Sequence, residues 1–458
     1  MNTRDCCTGC AGVNNVYYCS NPIRRVTPVP VDNTNVVKTN PQTVKKEENI
    51  SYGTAAANVV VPKTTFTVKK EEPVKVTKNQ FNTNMAVELG CVKWMALIAI
   101  ILGARVIMAE ESSPQAQFTA MFAFGDSLTD PGNNNYLNSL AKANYVPYGV
   151  DFYQGPSGRF CNGRTIIDYI GDLVGIPALL PYTSCSASAT LKDILRGVNY
   201  ASAAGGILEE TGQNLGERFS FSRQVKNFEN TLSQLRSQME DEKLRNYLAK
   251  ALVIMILGSN DYINNYLNPS FYPSSFIYSP KEYADLLVNR YATQILALQS
   301  LGLRKFFIAG IAPLGCIPNQ IANGLPPPGK CVDYTNGIVG MYNKQLESLV
   351  NELNDKFSNG SIFAYGNTFG AFTDILNNSK SYGFSVTDRG CCGIGRNQGQ
   401  ITCLPFSVPC TNRDQYIFWD AFHPTQAVNQ IMAQKAYSGS PSDCYPVNIQ
   451  KMAQLYQT

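Results

Sequence analysis

Histidine is almost missing from this chain: one, His423, stands among 458 residues. With so few imidazoles a Cys/His metal site is hard to build, and no metal or cofactor is expected. Any reaction that needs an imidazole base has a single residue to supply it. Charge is scarce as well. Charged residues make up 16% of the chain, against roughly 25% in an average soluble protein. Because 44% are hydrophobic, global disorder is excluded. The basic excess sits at one end: residues 1–84 carry eleven Lys and Arg against six Asp and Glu, so the overall +4 leaves about −1 for the remainder. That remainder lacks the clustered cations that track a phosphate backbone, and no nucleic-acid partner is expected. An apolar run of the roughly 20 residues needed to span a bilayer is also missing.

What is there begins with a tail. Residues 1–84 mix Asn, Thr, Val, Lys and Pro without helical or strand period, and they read as a disordered extension. Cys6, Cys7, Cys10 and Cys19 open it, but no second Cys or His pair follows at zinc-finger spacing. Residues 85–109 contain an apolar stretch from Trp94 to Ala109, of signal-peptide length, interrupted by Arg105 and closed by a small residue. Met85 just ahead of it is the expected natural start, with the first 84 residues a gene-model extension. The expected protein is therefore secreted, with no stable membrane span once processed. Nine cysteines follow Ala109, a number that suits disulfides in an oxidising compartment and leaves one thiol over. The triplets at Asn359 and Asn377 fit N-glycosylation.

The body alternates two periods. Phe118 to Phe124, Ala251 to Leu257, Lys305 to Ile311 and Ser361 to Tyr365 are short apolar runs of strand length, the pattern of strands covered on both faces. Ala284, Leu287, Tyr291, Ile295 and Leu298 recur at helical spacing, as do Ile338, Tyr342, Leu346 and Leu353. Helices between successive strands imply right-handed crossovers, hence a mainly parallel sheet in a three-layer α/β/α sandwich. Sites in such folds form beyond the carboxyl ends of the strands.

Two strand ends, a segment just ahead of a helical pattern near the C-terminus and a small-residue run carry candidate chemistry. Gly125-Asp126-Ser127 ends the first run, where a serine beside a glycine turn can act as a nucleophile; an ordinary turn would look the same. Gly258-Ser259-Asn260-Asp261 follows the run ending in Leu257, and an Asn held there can donate to an oxyanion or simply close an Asx turn. Asp420-Ala421-Phe422-His423-Pro424 places a carboxylate three residues before the only imidazole, a spacing that a tight turn can fold into contact. The small-residue run Asn199 to Leu208 can bring a backbone N–H close to a reacting oxygen, or merely allow close packing.

These blocks in this order resemble the SGNH hydrolase superfamily, in particular its plant-type GDSL esterase/lipase family, over residues 117–445. Phe122-Ala123-Phe124, Gly158-Arg159-Phe160-x-Asn162-Gly163-Arg164-Thr165 and Ala312-Pro313-Leu314-Gly315-Cys316 match as well. The resemblance implies Ser127 as nucleophile, His423 as general base and Asp420 as the carboxylate that orients it. It implies an oxyanion hole from the Ser127 N–H, a loop N–H and the Asn260 side chain. Ala203 stands where many relatives carry glycine, so the loop donor is placed at Gly206, with Gly205 as alternative; Cys161 stands where relatives commonly carry Ser. The implied activity is hydrolysis of small-molecule or lipid esters through an acyl-enzyme. An acyltransferase, a carbohydrate deacetylase or a non-catalytic binding protein on the same scaffold are the alternatives. The Gly-x-Ser-x-Gly elbow of other lipases is absent. Gly324 to Cys331 imitates a phosphate-binding loop, but its three prolines remove the N–H groups such a loop needs.

Overall fold

The computed structural model describes residues 116–185 and 190–455. The expected tail, residues 1–84 with Cys6, Cys7, Cys10 and Cys19, and the stretch from Trp94 to Ala109 lie outside the described residues. In chain order the strands are β1 (Met121–Gly125), β2 (Leu180–Pro181), β3 (Val198–Asn199), β4 (Leu252–Ile256), β5 (Lys305–Ala309), β6 (Ile362–Gly366), β7 (Val386–Gly390), β8 (Tyr416–Phe418) and β9 (Cys444–Tyr445). Seven form one sheet in the order β2-β3-β1-β4-β5-β6-β9, while β7 and β8 pair separately. All neighbours in the large sheet run parallel except β9, which lies antiparallel against β6. Each of the four apolar runs yields one of the five-residue strands β1, β4, β5 and β6.

The principal helices are α1 (Ile166–Val174), α2 (Phe221–Arg236), α3 (Asp241–Ala249), α4 (Pro280–Ser300), α5 (Asp333–Lys356), α6 (Thr368–Asn377), α7 (Gln426–Ser438) and α8 (Ile449–Gln454). Side chains alternate across the strands, and both faces are buried. Phe122, Phe124, Val253, Met255, Phe306 and Ile308 pack with Phe228 of α2, Leu287 and Tyr291 of α4 and Leu346 of α5. Met121, Ala123, Leu252, Ile254, Phe307 and Ala364 pack with Ile170 of α1, Ala433 of α7 and Met452 of α8. The result is the expected three-layer α/β/α sandwich. Helix α4 shows how local signals agree with this. Ser279 and Glu282 form a capping box and Pro280 occupies the first turn, after which Leu287, Tyr291, Ile295 and Leu298 all turn inward. Burying each such side chain is worth about 1.5–3 kcal/mol.

Three features depart from or extend the sequence reading. Strand β7, Val-Thr-Asp-Arg-Gly, is mostly half-buried and carries two charges, so it has no apolar signature to find. Disulfides join Cys316 to Cys331, Cys391 to Cys410 and Cys392 to Cys403. The thiols of Cys161 and Cys444 are both buried and unpaired, so more than the single leftover thiol expected from an odd count remains. Each donates to a backbone carbonyl, Cys161 to Gly163 at 3.2 Å and Cys444 to Lys435 at 3.4 Å, and burial pushes both up to about 12, which keeps them protonated. No helix among the described residues is long and apolar enough to cross a membrane.

Candidate active site

Ser127 sits in the turn that follows β1, two residues beyond Gly125. Gly125 is required there, because a β-carbon would overlap Thr129 Oγ1 and the Ile256 carbonyl. Gln224 of α2 ties down both backbone groups of Gly125, accepting its N–H at 2.9 Å and donating to its carbonyl at 2.8 Å. The Asp126 carboxylate accepts the Leu128 N–H at 3.0 Å, and its carbonyl accepts from Thr129 and Asp130. Burial pushes the Asp126 carboxyl up to about 7, although the Leu128 N–H and the His423 charge pull the other way.

His423 lies between β8 and α7, 296 positions from Ser127, yet its Nε2 is 2.8 Å from Ser127 Oγ. Its Nδ1 lies 2.8 and 2.9 Å from the two oxygens of Asp420. The same carboxylate accepts the N–H groups of Phe422 and His423 at 2.8 Å, the Tyr148 hydroxyl at 2.5 Å and the Thr402 hydroxyl at 3.2 Å. Burial alone would raise the Asp420 carboxyl, but the His423 imidazole and the hydrogen bonds from His423, Tyr148 and Phe422 hold it below the usual range. Phe160 packs on the imidazole, with ring centroids 5.1 Å apart.

Asn260 stands on the short helical turn Ser259–Asp261 beyond β4. Its Nδ2 donates to the Gly205 carbonyl at 3.0 Å and its Oδ1 accepts from Asn264 at 2.8 Å. Asp261 secures the small-residue loop by accepting the N–H groups of Ile207 and Leu208 at 2.8 and 3.0 Å. Asp130 secures it from the other side, accepting the Ala203 N–H at 3.0 Å. A cavity of about 310 Å³ opens here, lined by Ser127, Asn260 and His423 among others. From the loop, Ala203 and Ala204 reach it while Gly205 and Gly206 do not. A β-carbon on Gly206 would meet Thr211 and Asp261 instead. Ala204 holds a left-handed backbone with φ 64°.

A serine, an imidazole and a carboxylate in one line of contacts, beside an amide donor, form an arrangement that can carry acyl transfer. Residues 121–436 match the model of the GDSL-like lipase/acylhydrolase family. The chain belongs to this family. The Arabidopsis thaliana GDSL esterase/lipase At5g08460 is 53% identical over 367 residues, covering 80% of this chain and 94% of the relative. GDSL esterase/lipase At1g71250 of the same plant is 53% identical over 378 residues, 82% of this chain and 100% of the relative. GDSL esterase/lipase 7, also from Arabidopsis thaliana, is 48% identical over 340 residues, 73% of this chain and 92% of the relative. As a member of the GDSL family, the protein is a carboxylic ester hydrolase.

Four residues of this GDSL site escaped sequence reasoning. Tyr148 and Thr402 support Asp420 from loops 272 and 18 positions away, and nothing in their local sequence signals it. Phe160 lies in a block that matched the family without an assigned task. Asp130 lies three residues beyond Ser127, and only the fold brings it to the Ala203 amide.

Proposed function

We propose that the chain is a secreted serine esterase that cleaves acyl esters through a covalent intermediate on Ser127. The observation that carries this reading is the unbroken line from Ser127 Oγ through His423 to Asp420, each contact within 2.9 Å. Ser127 Oγ attacks the ester carbonyl carbon while its proton passes to His423 Nε2, and Asp420 stabilises the resulting imidazolium. The oxyanion is held by the Ser127 N–H, the Asn260 Nδ2 and one N–H from the small-residue loop. For that last donor the cavity wall favours Ala204 over Gly206, since Ala204 faces the cavity. The imidazolium then returns its proton to the departing alcohol. Water attacks the acyl-enzyme with His423 again taking the proton, and the acid leaves as Ser127 regains its hydrogen.

The hydrolase body is proposed to span residues 117–445, preceded by a leader at 85–109 and by an extension at 1–84. Exposed asparagines at both sequons, Asn359 and Asn377, together with three disulfides, support export. N-terminal sequencing of the mature chain is expected to start beyond residue 109. Ser127→Ala is expected to abolish both hydrolysis of short-chain nitrophenyl esters and labelling by a fluorophosphonate probe. Retained turnover in that variant would remove Ser127 from the mechanism.

A further inference from the structure

The cavity at Ser127 has an inward arm that the steps above leave unused. Its floor is one register row of the central sheet. Gly125, two residues before Ser127, stands opposite Ile256, which stands opposite Ala309, then Gly366, then Cys444. The last four of these line the cavity. Four strand spacings of about 4.8 Å carry the row roughly 19 Å from the nucleophile's strand to the far edge of the sheet. Beyond Ile256 its side chains are small. At Gly366 a β-carbon would come 2.5 Å from the Phe307 ring, which occupies that space itself.

Helix α7 supplies the opposite wall with Asn429, Met432 and Ala436. Asn429 Nδ2 donates to the Arg164 carbonyl at 2.9 Å. Charged groups appear at the end of the row, where Lys435 and Asp443 are paired at 3.1 Å. The floor from Ile256 to Cys444 and the wall residues Met432 and Ala436 present mainly apolar surface, and the neighbouring Asn367 and Thr368 donate to the Ser442 and Gly366 carbonyls, so the arm suits a slender apolar chain that stops before the ion pair.

We propose that this arm holds the acyl chain of the substrate, an unbranched aliphatic one, and that the row from Ile256 to Cys444 sets the longest chain accepted. The assignment rests on Ser127 as the acylated residue. The acyl part, not the alcohol, takes the arm because of the order of events. The alcohol must leave before water can approach His423, and a group seated deep behind the serine would have to back out past the acyl-enzyme. An acyl chain in the arm stays put while the outer mouth clears.

The test uses two readouts on the full-length protein. The first is the ratio of kcat/KM for dodecanoate over butanoate nitrophenyl esters. Ala436→Leu, which fills the far end, is expected to lower that ratio by about tenfold or more, and Ala309→Val, nearer Ser127, to move the cut-off to shorter chains. An unchanged ratio in variants that fold and still take the fluorophosphonate probe overturns the proposal. The second readout is calorimetric binding of free fatty acids to Ser127→Ala, which does not depend on the chemistry or on the filled variants folding. Affinity is expected to rise about fourfold per added methylene until the row is full; affinity independent of chain length also overturns the proposal. If the wild type resists the probe while Ser127→Ala binds fatty acids in this graded way, the serine mechanism fails and the chain-binding arm stands.

Discussion

Tyr148 carries a hydroxyl on which Asp420 depends. It is fully buried, stacks edge-on against Trp419, and donates to Asp420 Oδ2 at 2.5 Å, on the side of the carboxylate away from the Phe422 and His423 amides. Burial and the neighbouring Asp420 charge keep its own proton in place, so it acts as a fixed donor. A hydrogen bond to a charged group is worth about 1.5–3 kcal/mol. Tyr148→Phe, which keeps the ring, is therefore expected to lower kcat by about tenfold or more with little change in KM, and to shift the pH profile of kcat. A variant with the wild-type kcat and profile would reduce Tyr148 to packing. The Asp420 and His423 pair was legible because three residues of turn bring them together. Tyr148 was not, because its role exists only once two distant loops meet.

At the scale of elements, the loop ahead of α1 positions the imidazole's apolar support. Arg159 forms a two-pronged ion pair with Asp168, both contacts at 2.8 Å, and Asp168 also accepts the Thr165 N–H to cap α1. Arg159 stacks on Phe152, while the adjacent Phe160 rests on His423. Removing one partner of a buried pair strands the other, at a cost of about 3–5 kcal/mol. Arg159→Ala is expected to lower the thermal midpoint clearly and to reduce activity with it; a midpoint within error of wild type would show that Asp168 is solvated. A second support comes from the adjacent cysteines 391 and 392. Their amides donate to the carbonyls of Phe418 and Trp419 at 3.0 and 2.7 Å, and their disulfides hold the strand of chain that carries Thr402. The clustered cysteines announced crosslinks, but their pairing needed the β7–β8 neighbourhood to be folded.

Across the whole molecule, buried carboxyls divide into two sets with opposite effects on stability. Burial raises Asp126 to about 7 and Asp130 and Asp261 to about 6, from 3.8. The folded state then binds more protons than the unfolded chain, so their contribution is fully present below pH 3.8 and is lost as pH rises through these values. Asp168 and Asp420 are lowered by their partners despite burial, so their contribution is present above 3.8 and is lost as pH falls. The thermal midpoint is expected to fall between pH 3.8 and about 7 through the raised set, and Asp126→Asn, which keeps an acceptor for Leu128, should flatten part of that fall. A midpoint that climbs steadily over this range would contradict the raised set. The sequence by itself determined the four central strands, the helices between them and the three candidates Ser127, Asp420 and His423. Those depend on local periodicity, turn spacing and a histidine without rivals. Only the tertiary structure decided which loop residue faces the cavity, what supports Asp420, and how far the cavity runs along the sheet. These are set by register between strands and by contacts across hundreds of positions, which no local pattern encodes.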